Sequence, residues 1–389
     1  MPVRVAILTT IYRYLSHAQH MGDRFLIGYP LRGAWHKGDM KVVSLYVDQK
    51  PEGDQSQERA KEFGFSVYPT IAEALRCGGD KLAVDAVLII AEHGNYPKND
   101  LGQVLYPRYE FFKQCVDVFT ADGRSVPVYN DKHLSYSWEK ARWMVDQSKK
   151  MGFPMLAGSS LPVTWRLPNL ELPLGTEIEE ALMVGVGGSD PMDYHALEAM
   201  QCMVERRKGG ETGIKSVQLI DGEAVWNDRR WDRQLLVSAL SRSDTPQGLS
   251  VQDGRPQDLW GSGEMRKLVG NPAAYFIERN DGLRTTLLMV NGAVRDYTFA
   301  ARLKKGKGIV STQFFLTPTP NVTYSACLVS KIEELFTTGK APYPVERTLI
   351  VSGMLESCLQ SRKQGGKLLQ TPHLAVRYTG TRTPQHAID

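Results

Sequence analysis

The feature that most limits what this chain can fold into is the alternation in its first 160 residues. Short, nearly unbroken apolar runs recur at Val3–Leu8, Lys41–Val47, Phe65–Tyr68, Val84–Ala91, Val126–Tyr129 and Met155–Ala157. A strand buried on both faces has this unbroken character, whereas a half-exposed strand alternates. Between the runs lie stretches of helical character: Ser16–Leu26, Ser56–Phe63 closed by Gly64, a third opened by Thr70, then Tyr109–Phe119 and the amphipathic Ser137–Lys150. This order predicts an α/β fold, a doubly wound parallel sheet over residues 1–160. Right-handed crossovers then place the functional crevice at the carboxyl ends of the strands.

The character changes after Pro162. A Pro- and Leu-rich stretch leads to strand-like runs at Glu180–Val186, Ile214–Ile220, Ala274–Glu278, Leu283–Val290 and Gly308–Phe315, with one helix, Asp193–Arg206, among them. Residues 161–389 are expected to form an α+β domain on an open antiparallel sheet. Residues 241–268 read as a long loop, and Val322–Thr337 and Val345–Arg362 as helices that pack back on the body. An uncovered apolar sheet face needs a partner, so the run GIVSTQFF suggests a homo-oligomer built through this sheet.

Composition excludes more than it selects. The 47 Lys and Arg against 43 Asp and Glu leave +4, spread along the chain rather than gathered into a block, so no nucleic-acid partner is expected. No run approaches the roughly 18 apolar residues of a membrane span. The N-terminus lacks a signal peptide's design, and the five cysteines are odd in number and widely spaced. Reduced thiols in a cytoplasmic protein are the expectation.

Several segments carry a more specific pattern. SQERAKEFGFSVYPTIAEAL and VDAVLIIA are followed by VPVYNDKHLSYSWEKARWMVDQSKKMGFPMLAGSS, and later by GGSDPMDYHALEAM. On these residues the chain resembles the Gfo/Idh/MocA family, the glucose–fructose oxidoreductase and inositol dehydrogenase group. The resemblance implies a Rossmann-like domain joined to the sheet domain. The family's Glu-Lys-Pro motif falls on Asp131, Lys132 and His133. Its catalytic-domain histidine falls on His195, and the Asp four residues earlier on Pro191, with Asp190 and Asp193 nearby. Lys132, His195 and Asp193 are therefore the implied catalytic set. The family's glycine-rich turn, followed by Ser-His, aligns its Ser-His with Ser16 and His17. Its glycines fall on Thr9, Ile11 and Tyr12, and no glycine occurs between Met1 and Met21. Glycines allow the backbone to approach a pyrophosphate. Thr9, Tyr12 and Asp48, at the end of the second strand, are the candidate cofactor-binding positions, but ordinary NAD(P) binding is not expected.

On this fold His17, Glu92, His93, Asp131 and His133 would converge at neighbouring strand ends. Imidazoles and carboxylates brought together suit a divalent metal such as Zn²⁺ or Mn²⁺. The leading expectation is a metal-assisted hydrolysis, elimination or isomerisation of a sugar- or polyol-like molecule. The alternatives are an NAD(P)-dependent sugar oxidoreductase with an unusual phosphate loop, and a non-catalytic carbohydrate-binding or scaffold protein. Plainer roles compete at each position: His17 as a helix-start residue, His93 as a loop residue, Asp48 as a cap, Trp138 and Trp143 as core.

Overall fold

The computed structural model describes residues 1–188, 190–248 and 258–388. Its first half runs β1 (Val3–Thr9), α1 (His17–Ile27), a hairpin of β2 (Tyr29–Leu31) and β3 (Ala34–His36), β4 (Met40–Val47), α2 (Ser56–Phe63), β5 (Ser66–Tyr68), α3 (Ile71–Arg76), β6 (Ala86–Ile90), α4 (Arg108–Asp122), β7 (Val128–Asp131), α5 (Trp138–Met151) and β8 (Met155–Gly158). The strands form one parallel sheet in the order β5-β4-β1-β6-β7-β8. The order reverses between β1 and β6, which makes their carboxyl ends the switch point of the sheet. The apolar runs explain this placement. Val5, Ile7, Leu88 and Ile90 face one helical layer, while Ala6, Leu8, Val87 and Ile89 face the other, so both faces are dry.

The second half runs β9 (Arg166–Leu167), β10 (Ile178–Gly185), α6 (Asp190–Val204), β11 (Ile214–Asp221), α7 (Glu223–Asn227), α8 (Arg233–Leu240), α9 (Glu264–Leu268), β12 (Ala273–Arg279), β13 (Arg284–Met289), β14 (Tyr297–Leu303), β15 (Ile309–Phe314), α10 (Tyr324–Thr338), α11 (Glu346–Lys363) and β16 (Leu369–Gln370). Its sheet, in the order β16-β11-β12-β13-β10-β14-β15-β9, is mixed: β10 and β13 pair in parallel and the other pairs are antiparallel. One face packs on α6 and α11 through Met200, Met203, Met354 and Leu355. Helix α10 does return to the first sheet, where Val329, Ile332 and Leu335 join the layer beneath Val5 and Ile7.

Three expectations need correction. The hairpin β2–β3 and strand β14 have no counterpart among the elements expected from the sequence. The 241–268 stretch is not wholly loop, since α9 lies within it; residues 249–257 fall outside the described residues. Most consequentially, the open sheet does not have a bare apolar face. Its outer face is covered by α7, α8 and α9, whose Val225, Trp226, Trp231, Leu235, Leu236 and Met265 pack on Leu182, Val184, Leu288 and Ala300. The Trp231 indole N–H donates to the Val225 carbonyl at 3.0 Å, fixing the cover. The apolar surface thought to need a second subunit is satisfied within the chain.

A monomer of 43.5 kDa is therefore expected in light scattering. Trp231→Ala should lower unfolding stability by about 3–5 kcal/mol, measured in urea, by removing a large ring from that cover.

Candidate functional site

The turns after β6, β7 and β8 meet α1 and α6 around a cavity of about 390 Å³. Helix α1 begins at His17 because Ser16 caps it, the Ser16 side chain accepting from the Gln19 N–H. His17 and His20, three residues apart, share one helix face and both line the cavity. The His17 Nδ1 lies 2.7 Å from Asp131 Oδ2 at the end of β7. A carboxylate only accepts, so Nδ1 donates and Nε2 is left for the cavity. The helix-start and functional readings of His17 thus hold together.

Glu92, at the end of β6, is the electrostatic centre. It is almost wholly buried, with Oε1 accepting from Lys132 Nζ at 3.1 Å and Oε2 paired to the fully buried Arg108. Burial alone would raise its pKa, but the charges of Lys132 and Arg108 outweigh it and hold the carboxyl well below its usual range. Lys132 sits at φ +59°, its N–H bonded to the Gly158 carbonyl at 3.0 Å. His93 is likewise left-handed, at φ +69°. Two non-glycine residues in this sparsely populated region, side by side in one cavity, mark backbone strain concentrated where the polar groups gather. Gly158 is itself at φ +122°, and a Cβ there would collide with the buried Glu198 carboxylate.

His195, on the second turn of α6, completes the set from the other sheet's side. Burial, reinforced by Lys132 and His17, holds its imidazole well below the ordinary value, so it is neutral at physiological pH. Burial pushes His20 and His93 down to about 4, again with help from the His17 charge. The His20 Nε2, His93 Nε2 and His195 Nδ1 atoms are buried without a protein hydrogen-bond partner. Each is a buried polar atom that the protein itself leaves unsatisfied.

The structure therefore brings His17, Glu92, His93, Asp131, Lys132 and His195 to one cavity. The metal reading is not sustained: no group of three or more His, Cys, Asp or Glu side chains among the described residues is placed to hold an ion. The reason is that the anionic donors are already spent, Glu92 on two cations and Asp131 on His17. His133 lies behind the cavity, with Nε2 3.2 Å from Arg108 and 3.3 Å from Asp190 Oδ2. Asp193 does not reach the cavity either. It accepts from the Tyr275 hydroxyl and the Gly188 N–H inside the second core, where burial lifts its carboxyl to about 6. Residues missed in the sequence are His20, Tyr106, Ser159 and Tyr297. Only His20 carried a signal, its spacing of three from His17.

Thr9, Tyr12 and Asp48 do not line the cavity. Tyr12 is folded inward, its hydroxyl donating to Asp23 Oδ1 at 2.9 Å and its ring filling the space above Gly22, where a Cβ would stand 2.6 Å from the phenol oxygen. The turn after β1 is tied to both neighbours. The hydroxyls of Thr9 and Thr10 donate to the Ile90 and Glu92 carbonyls at 2.9 and 2.8 Å. The Gln49 and Gln55 N–H groups donate to the Thr10 and Tyr12 carbonyls at 2.8 and 2.7 Å.

This two-domain arrangement, with a parallel sheet at the N-terminus and a mixed sheet after it, is the fold of the Gfo/Idh/MocA-type oxidoreductases. The structure is similar to myo-inositol dehydrogenase from Lactobacillus casei, solved in complex with NAD(H) and myo-inositol (TM-score 0.55, 11% identity, 99% of this chain and 100% of that one). It is also similar to a myo-inositol dehydrogenase from Corynebacterium glutamicum (TM-score 0.54, 11% identity, 95% and 99%) and a probable dehydrogenase from Thermotoga maritima (0.56, 11%, 96% and 100%). No family model and no curated protein matches the sequence. No described helix is long and apolar enough to cross a membrane.

The site's charges set two expectations. Glu92→Gln should cost about 3–5 kcal/mol in urea unfolding, because it leaves Lys132 and Arg108 buried without their carboxylate. His20 and His93 have folded pKa values below the unfolded 6.5, so as pH falls from about 6.5 to 4 the unfolded chain takes protons first and their contribution to stability is lost. Glu198 and Asp193, lifted to about 7 and 6, act in the opposite sense. The measurement is therefore a difference: a His20→Gln, His93→Gln variant should lose less stability than the parent over that window.

Proposed function

We propose that the chain is an enzyme acting on a small hydroxyl-rich molecule of the carbohydrate or polyol class, bound in the cavity between the two sheets. The observation that carries this reading is that Lys132, the neutral His195 and the His17–Asp131 pair line one cavity. Each group has one chemical task. His195, neutral and lining the cavity, accepts a proton from a substrate hydroxyl or an activated C–H. Lys132, held in place by Glu92, donates to the oxygen on which negative charge develops. Asp131 fixes the tautomer and orientation of His17. The imidazoles of His20 and His93, which also line the cavity, suit the hydroxyls of a polyol, which donate and accept.

A second reading, nicotinamide-dependent oxidation of a sugar or polyol, is favoured by the neighbour solved with NAD(H) and by the acidic Asp48 at the end of β4. The reacting end of a dinucleotide has suitable neighbours in Lys132 and His195. The pyrophosphate end does not fit: the turn from Thr9 to Tyr12 has no glycine, and the hydroxyls of Thr9, Thr10 and Tyr12 that could donate to a phosphate already donate to Ile90, Glu92 and Asp23. The roles given to Lys132 and His195 therefore stand without a cofactor.

Saturation-transfer NMR against a panel of neutral sugars and polyols tests the first reading. Contacts at about millimolar affinity or tighter are expected, and are weakened by Lys132→Met. A folded protein that binds none of them overturns the proposal. Once turnover is found, His195→Asn should lower kcat about 10²- to 10⁴-fold.

A further inference from the structure

The loop between β6 and α4 has a place and a set of bonds that the cavity chemistry does not use. In proteins of this fold a dinucleotide lies across the carboxyl ends of the strands at the switch point, its pyrophosphate over the first turn and its ribose on the acidic residue after the next strand. Here that path runs from the end of β6, over the turn after β1, to Asp48. The loop takes the same path. Asn95 and Gln49 exchange two hydrogen bonds, Asn95 N–H to Gln49 Oε1 at 2.9 Å and Gln49 Nε2 to the Asn95 carbonyl at 3.1 Å. The Tyr96 hydroxyl donates to Asp48 Oδ2 at 2.5 Å, while Tyr46 donates to Oδ1 at 2.8 Å, so both carboxylate oxygens are engaged.

The loop is a built element rather than a loose lid. Lys98 and Val104 pair as a bridge, Asn99 Oδ1 accepts from the Leu101 and Gln103 N–H groups at 3.0 Å each, and the Tyr96 and Tyr106 rings meet edge to face at 5.7 Å. Its far end is anchored in the second half of the chain, where Gln103 Nε2 donates to the buried Asp190 at 2.8 Å. Beneath it, Thr9 and Thr10 close the switch point by bonding directly to the β6 end.

We infer that this loop is a permanent internal occupant of the dinucleotide groove, and that the chain works without a bound dinucleotide. Given the proposed substrate class, on which this step rests, the chemistry left is redox-neutral. In a sugar that carries a carbonyl, His195 removes a proton from the carbon beside it and the electron pair forms an enediolate whose oxygen Lys132 stabilises. A proton returned to the former carbonyl carbon, with the hydroxyl proton passing from one oxygen to the other, completes isomerisation; a proton returned to the same carbon from the opposite face completes epimerisation. No electrons are gained or lost, as in isomerisation or epimerisation.

The test is calorimetric titration of the intact protein with NAD(H) and NADP(H), together with amide hydrogen exchange. No binding below about 1 mM is expected. A micromolar dissociation constant for any of the four nucleotides overturns the inference, whatever the sugar panel shows, so this failure is distinct from failure of the substrate reading. The Asn95, Gln49 and Gln55 amides should be protected in the free protein, and Tyr96→Phe should speed exchange at Asn95 by about tenfold. Exchange at Asn95 as fast as in an open loop in the parent protein would equally refute a fixed occupant.

Discussion

The site depends on one carboxylate. Glu92 lies at the end of a strand with no exposed residue, and two cations converge on it from different elements, Lys132 from the turn after β7 and Arg108 from the start of α4. Burying any one of these charges alone would be prohibitive, and burying three is tolerable only because their geometry is mutual. The neighbouring elements take their positions from this triad. Lys132 is held in a left-handed conformation that the Gly158 carbonyl supports, Arg108 passes the network on to His133 and Asp190, and so the first turn of α6 is set against the strand ends of the parallel sheet. The cavity is the space left between groups that this network has already positioned.

Much of the architecture was legible because it follows from periodicity. The unbroken apolar runs of β1, β4 and β6 could be satisfied only by burial on both faces, and each lies within a residue or two of where the sequence puts it. The core strands of the second sheet other than β14 were legible for the same reason. The covering helices escaped for a physical reason. The covering helices α7 and α8 are short, and their tryptophans and leucines carry no periodic stretch long enough to separate from loop. Their partner is the outer face of a sheet whose inner face already accounts for its alternation.

The site was legible in membership but not in pairing. Lys132, His17, His93 and His195 could be expected at the strand ends from their order along the chain. Which carboxylate meets which cation is decided by long-range geometry. Arg108, which lies sixteen residues from Glu92 along the chain, turned Glu92 from a metal-ligand candidate into a counter-ion. Asp193 and His195 differ by two positions on one helix, and that difference turns one toward the second core and the other toward the cavity.

The self-covered sheet bears on more than assembly. A fold whose exposed face is completed by a second subunit owes part of its stability to association, and that part falls as the protein is diluted. Here Trp226, Trp231 and their neighbours supply the same burial from within one chain. That burial is thus formed as the chain folds, whatever the concentration at which the protein is made.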